Sequence, residues 1–185
     1  IDIGLTLCDA LTYVHEHNVV HCDIKPSNVL IDRFGTVTLI DFGIAQFPSR
    51  RHPKDQTSGT VAYMAPEQAT GAAVDARADL FSLAVMLYEM ATGTRLYPGS
   101  DVTTLLRERV CPVHLPKTGR VHGLLGAPLH PLMSALQHAI ALNPDHRYAS
   151  AEDFRHALLG CKRKLWAKTH RRQWVRTVMN RVEYS

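Results

Sequence analysis

The sequence predicts a mainly α fold that carries one small β-hairpin near its start. Three observations support this. Ile3, Leu7, Leu11 and Val14 recur at helical spacing across residues 1–17. The run from Asp79 to Met90 is apolar nearly all round, as a buried helix is. Between them, Val29-Leu30-Ile31 and Val37-Thr38-Leu39-Ile40 are short β-rich runs on either side of Asp32-Arg33-Phe34-Gly35, a turn-like segment. With 185 residues, 45% of them hydrophobic, the chain can bury one sizeable core. One domain plus a tail is expected.

Taken in order, the first helix ends at His15-Glu16-His17-Asn18, and both histidines read as solvated helix-end residues. Residues 44–64 hold Pro48, Arg50, Arg51, Pro53, Lys54, Asp55 and Gly59 with no clean periodicity, the mark of a functional or disordered loop. Asp79 is placed to cap the buried helix, and Gly93 fits its stop. That helix is too short to cross a bilayer. Residues 103–109 form a short helix, and Cys111–Pro131 reads as loop. His114, His122, His130, His138 and His146 fall every eight residues. That period fits neither a helix nor a strand face, so no metal array is expected. Leu132, Leu136, Ala139 and Ile140 mark another core helix. Asn143–Tyr148 turns the chain, and Ser150 with Asp153 has the capping-box pattern.

Beyond Gly160 the composition shifts. Lys162, Arg163, Lys164, Lys168, Arg171, Arg172, Arg176 and Arg181 face one acid, Glu183, with Trp166, Trp174, Val175, Val178 and Val182 interleaved. A solvated helical extension or linker is the plain reading of 160–185. The functional alternative is a basic amphipathic helix, over 161–185, on an anionic membrane surface or a partner. The net charge of +4 is modest and no nucleic-acid module is present, so no nucleic acid is expected. Cys8, Cys22, Cys111 and Cys161 form no C-x-x-C pair, which suits reduced thiols in the cytoplasm. The opening Ile1-Asp2-Ile3-Gly4 reads as the inside of an element, so the chain is expected to be a fragment of a longer protein.

The chemistry gathers at His21-Cys22-Asp23-Ile24-Lys25-Pro26-Ser27-Asn28. Asp23 can take a proton from a hydroxyl, Lys25 can neutralise a phosphoryl oxygen, and Asn28 can hold a divalent cation through its amide oxygen. That set suits phosphoryl transfer, in which a protein mainly positions reactants and neutralises charge. Alone, the stretch is also compatible with a polar turn. Asp41-Phe42-Gly43 and then Ala65-Pro66-Glu67 follow it, and H-x-D-x-x-x-x-N, D-F-G, A-P-E in that order is the protein-kinase signature. Over residues 1–159 the chain resembles the C-terminal lobe of a eukaryotic-type protein kinase. Lys25 resembles the Ser/Thr branch, and the likeness is closest to bacterial members.

The resemblance implies roles. Asp23 would orient a Ser or Thr hydroxyl of a protein substrate and accept its proton, and Lys25 would stabilise the γ-phosphoryl of ATP. Asn28 and Asp41 would converge on Mg²⁺, brought together by the hairpin. His21 would support the loop, Phe42 would pack into the core, and Gly43 would permit the backbone turn after it. Residues 44–64 would be the activation segment, with Thr57 and Ser58 as candidate phosphosites, Ser49 as a weaker one, and Thr60 bonded to Asp23 and Lys25. Asp79 would anchor the catalytic loop, and Arg147 would pair with Glu67. Cys22 departs from the pattern, because many members carry Arg there. The Gly-rich loop, the strand Lys and its Glu partner do not occur in this sequence, so the nucleotide-binding lobe is expected in the parent chain and this chain alone is expected to be inactive. The competing reading is a pseudokinase or kinase-like scaffold; the intact Asp23, Lys25, Asn28 and Asp41 argue against it.

Overall fold

A computed structural model of the chain describes residues 1–42, 58–99, 101–116 and 130–182. The fold is mainly α with one two-stranded antiparallel sheet, as the patterning predicts. Helix α1 spans Asp2–Glu16 and buries Gly4, Leu7, Cys8 and Leu11, one face of the 3.6-residue period. Gly4 is a packing glycine. A Cβ there would sit 2.9 Å from a Leu87 methyl and 3.1 Å from a Leu158 methyl, so α1 can approach its neighbours only because the side chain is missing.

After an extended stretch and a single 3₁₀ turn at Pro26–Asn28, strand β1 (Val29–Ile31) pairs with β2 (Val37–Leu39) in the register Val29↔Leu39, Leu30↔Thr38, Ile31↔Val37. The connecting turn is closed by Asp32, whose Oδ1 accepts the N–H groups of Phe34 and Thr36 at 2.8 Å each. These bonds hold its carboxyl below the usual carboxylate range.

The described helices that follow are α2 (Ser58–Val61), α3 (Pro66–Thr70), α4 (Arg77–Thr92), α5 (Val102–Arg109), α6 (His130–Ala139) and α7 (Ala151–Val182). Helix α4 is the centre of the core. Ala78 to Leu87 are all buried along it, and Leu80, Phe81 and Leu83 are wholly so. Gly93, at φ 70, ends it in the left-handed conformation that a residue with a Cβ adopts at a cost. Helices α1, α6 and α7 pack together and on α4. Ser150 opens α7 as the sequence predicts, its Oγ accepting the Asp153 N–H at 3.0 Å.

Two expectations are corrected. Asp79 makes no capping bond to its own helix; Asp75 does that work, accepting the Arg77 N–H at 2.8 Å, which leaves the Asp79 carboxylate for another loop. His15 is not a solvated end residue, because its ring is drawn in to that same carboxylate at 2.8 Å. Helix α7 runs on past residue 159. Along it, Cys161 is buried and Lys162 pairs with Asp2.

Candidate active site

The loop between α1 and β1 has no ladder of its own, so its backbone polar groups need partners from elsewhere. Asp79 supplies two. Its Oδ2 accepts the His21 N–H and its Oδ1 the Cys22 N–H, both at 2.8 Å. Cys22 is in the left-handed region at φ 63, a conformation that costs a non-glycine residue about 1–3 kcal/mol and must be held by its surroundings. The second restraint is Gln68 of α3, whose Nε2 donates to the Cys22 carbonyl at 2.9 Å while its Oε1 accepts the Ala65 N–H. His21 is wholly buried. Its Nδ1 accepts the Asp23 N–H at 3.3 Å, which leaves Nε2–H to donate to the Ile40 carbonyl at 3.1 Å.

These restraints fix Asp23, which is 7% exposed. Its Oδ2 accepts from Lys25 Nζ at 2.8 Å and from Asn28 Nδ2 at 3.2 Å. Among the described residues nothing donates to its Oδ1. Lys25 Nζ also donates to Thr60 Oγ1 at 2.8 Å, so one ammonium joins the loop before β1 to α2. The structure therefore brings His21, Asp23, Lys25, Asn28 and Thr60 into one bonded group.

Asn28 spends its amide nitrogen on the Asp23 carbonyl, at 2.8 Å, and on the Asp23 carboxylate. Its amide oxygen is thereby the atom left to act as a ligand. The Ile40 N–H donates to the Asn28 carbonyl at 2.9 Å, one step beyond the β1–β2 register, so the hairpin delivers Asp41 next to Asn28. Asp41 is exposed, at φ 66. An amide oxygen and a carboxylate are hard donors of the kind Mg²⁺ takes, with room for oxygens from elsewhere. The residues present fit that ion.

Phe42 is a correction. It does not sit in the core; its ring leans on the buried His21 ring at 4.6 Å between centroids and 37% of the residue is open. It stands just past the end of β2, where His21 is the ring packed against it. Gly43, Ser49 and Thr57 lie outside the described residues, and Ser58 is the first residue of α2.

Further out, Glu67 and Arg147 meet in a buried bidentate pair with Nη–Oε distances of 2.6 and 2.7 Å. The Cys22 thiol is pushed up to about 12, chiefly by burial and then by the charges of Asp79, Asp23 and Glu67, so it is neutral at physiological pH.

Sequence reasoning missed two groups at this site. Gln68 carried a signal, because a Gln three residues past the start of a helix is a capping-box position. His15 carried none, since its partner Asp79 lies far away in sequence.

A model of the protein kinase domain matches residues 2–159. This chain belongs to the protein kinase family. The serine/threonine-protein kinase PknB of Mycobacterium leprae is 35% identical over 127 residues, which is 67% of this chain and 20% of that protein. PknB of Mycolicibacterium smegmatis is 38% identical over 114 residues, 60% of this chain and 18% of that kinase. The DNA damage-responsive serine/threonine-protein kinase RqkA of Deinococcus radiodurans is 43% identical over 104 residues, 55% of this chain and 16% of that kinase. The chain thus spans about a fifth of the length of the curated relatives it matches.

Proposed function

We propose that this chain is the acceptor- and metal-binding part of a protein serine/threonine kinase. The observation that carries the reading is the state of Asp23. One carboxylate oxygen is held by Lys25 and Asn28, and the other has no donor among the described residues. A Ser or Thr hydroxyl of a protein substrate can donate to that free oxygen and be aimed by it, with the carboxylate ready to receive the proton. Lys25, shared between Asp23 and Thr60, places a fixed positive charge beside the reacting oxygens. Asn28 and Asp41 would hold Mg²⁺, which would neutralise charge on the phosphoryl group that ATP supplies.

The test is metal-dependent phosphotransfer by the full-length protein, with this 185-residue chain alone as the blank because it contains no phosphate-covering Gly-rich loop. Asp41→Ala should lower transfer at least 100-fold, a loss in the range expected when a metal ligand's charge stabilisation goes. Wild-type transfer by Asp41→Ala, or turnover of ATP by the blank, would contradict the assignment.

A weaker association is proposed for residues 161–185, on the strength of their basic and aromatic composition. Among the described residues no helix is long and apolar enough to cross a membrane. Surface attraction is a different matter, and each Lys or Arg near anionic lipid adds about 1 kcal/mol. The full-length protein should sediment with anionic vesicles and not with neutral ones, and removal of 161–185 should weaken this. Equal binding to both kinds ends the idea.

A further inference from the structure

Arg109, the last residue of α5, is 0% exposed, which is rare for a cationic side chain. Its Nε donates to the Val61 carbonyl at 3.2 Å and its Nη2 to the Ala62 carbonyl. Its guanidinium carbon lies 3.4 Å from the centre of the Tyr97 ring. Among the described residues its Nη1 has no partner and no carboxylate forms an ion pair with it. Burial pulls its pKa down to about 10, which still leaves it charged at neutral pH.

An ionised group buried without a counter-ion is a poor way to fill space, because an apolar side chain of similar volume avoids the desolvation. Arg does something an apolar residue does not. Its planar fork spans two successive carbonyls while its charged carbon sits over an aromatic ring. The two carbonyls belong to the residues immediately after Thr60, and one of them, that of Val61, also takes the Met64 N–H at 3.2 Å. Thr60 is the residue that receives Lys25. The chain of contacts therefore runs from α5 through Arg109 to the 61–62 backbone, to Thr60, to Lys25 and to Asp23. Asn28 joins this chain through Asp23, whereas the Asn28–Ile40 backbone bond that carries the hairpin towards Asp41 touches neither Arg109 nor residues 60–62.

We infer that Arg109 is a positioning residue for the protein acceptor: it clamps the backbone after Thr60 and so sets the face on which a Ser or Thr hydroxyl meets Asp23. The inference rests on the kinase reading above. It assigns Arg109 to the acceptor side of the reaction and not to the nucleotide side.

The experiment is steady-state kinetics on the full-length protein, with myelin basic protein as acceptor and Mg-ATP varied independently. Arg109→Met, similar in volume without charge or fork, should raise KM for the acceptor at least tenfold and leave KM for ATP within twofold. Arg109→Lys keeps the charge and one donor, and should recover part of the loss. An acceptor KM within twofold of wild type in a folded Met variant overturns the inference. So does a rise of both KM values in step, which is what general loosening produces. If Arg109→Met does not fold, Arg109→Lys carries the test: an acceptor KM raised threefold or more with ATP unmoved supports the clamp, and unchanged constants overturn it. Asp23→Asn, run alongside, separates the two levels. Loss of transfer in Asp23→Asn with an acceptor KM unmoved in Arg109→Met sinks only the clamp, whereas transfer that survives Asp23→Asn sinks both.

Discussion

Cys22 and Asp23 are neighbours with opposite electrical characters. Asp23 keeps its carboxylate in contact with an ammonium, while the Cys22 thiol is held neutral by burial among Asp79, Asp23 and Glu67. The sign follows from that: the folded state favours the protonated thiol, so its contribution to stability is present below the ordinary thiol pKa near 9 and is lost as pH rises from there towards about 12. In kinases with Arg before the catalytic Asp, that guanidinium receives a phosphate on the activation segment. A neutral thiol offers only a weak donor. Thr57→Ala with Ser58→Ala should therefore leave the phosphotransfer rate of the full-length protein within about threefold of wild type, a change in barrier of under 1 kcal/mol. Cys22→Arg should make that rate newly sensitive to phosphatase. A large loss in the alanine variant, restored by phosphomimetic residues, contradicts this. The grouping of Asp23, Lys25 and Asn28 was legible in the sequence because six residues of chain bring them together. The bond from Lys25 to Thr60 was expected only by family likeness, since local pattern says nothing about a partner 35 residues away.

At the scale of elements, α3 is bound at both ends of the site. Gln68 ties it to the loop between α1 and β1, and Glu67 ties it to the segment before α7 through Arg147. Arg147 uses every donor it has, with Ala141, Leu142 and Arg77 carbonyls taking what Glu67 does not. Arg147→Met would leave the Glu67 carboxylate buried and unpaired. The expected loss is about 3–5 kcal/mol of unfolding free energy, read from urea denaturation. Adding Glu67→Gln to that variant should recover part of it, because the stranded charge is then gone. A single variant within about 0.5 kcal/mol of wild type, the usual range for an unimportant surface change, would show that the pair is idle. Periodicity located α1, α4 and α6 because each turns an apolar face or an entire apolar surface inward. It misassigned Asp79, since a helix-start carboxylate looks the same in sequence whether it serves its own helix or, as here, another loop.

In the whole molecule, a core built on α4 holds two functional edges in fixed relation: the hairpin that carries Asn28 and Asp41, and the α2–α3 segment that carries Thr60 and Glu67. The fold class followed from composition and pattern, because few residues read as strand and a buried helix needs others around it. The central buried Arg109 did not, because a lone Arg at a helix end ordinarily reads as solvated. The account turns on the claim that the Asp23 oxygen with no donor among the described residues receives the acceptor hydroxyl's proton. The most direct measurement is single-turnover transfer of labelled phosphate from Mg-ATP by the full-length protein and by Asp23→Asn, with folding checked by circular dichroism. The amide keeps the size and the bond to Lys25 but has no basic oxygen. The account predicts a fall of about 10²–10⁴-fold, the span general-base catalysis supplies, with ATP binding retained. A folded Asp23→Asn protein that transfers phosphate at the wild-type rate would contradict it.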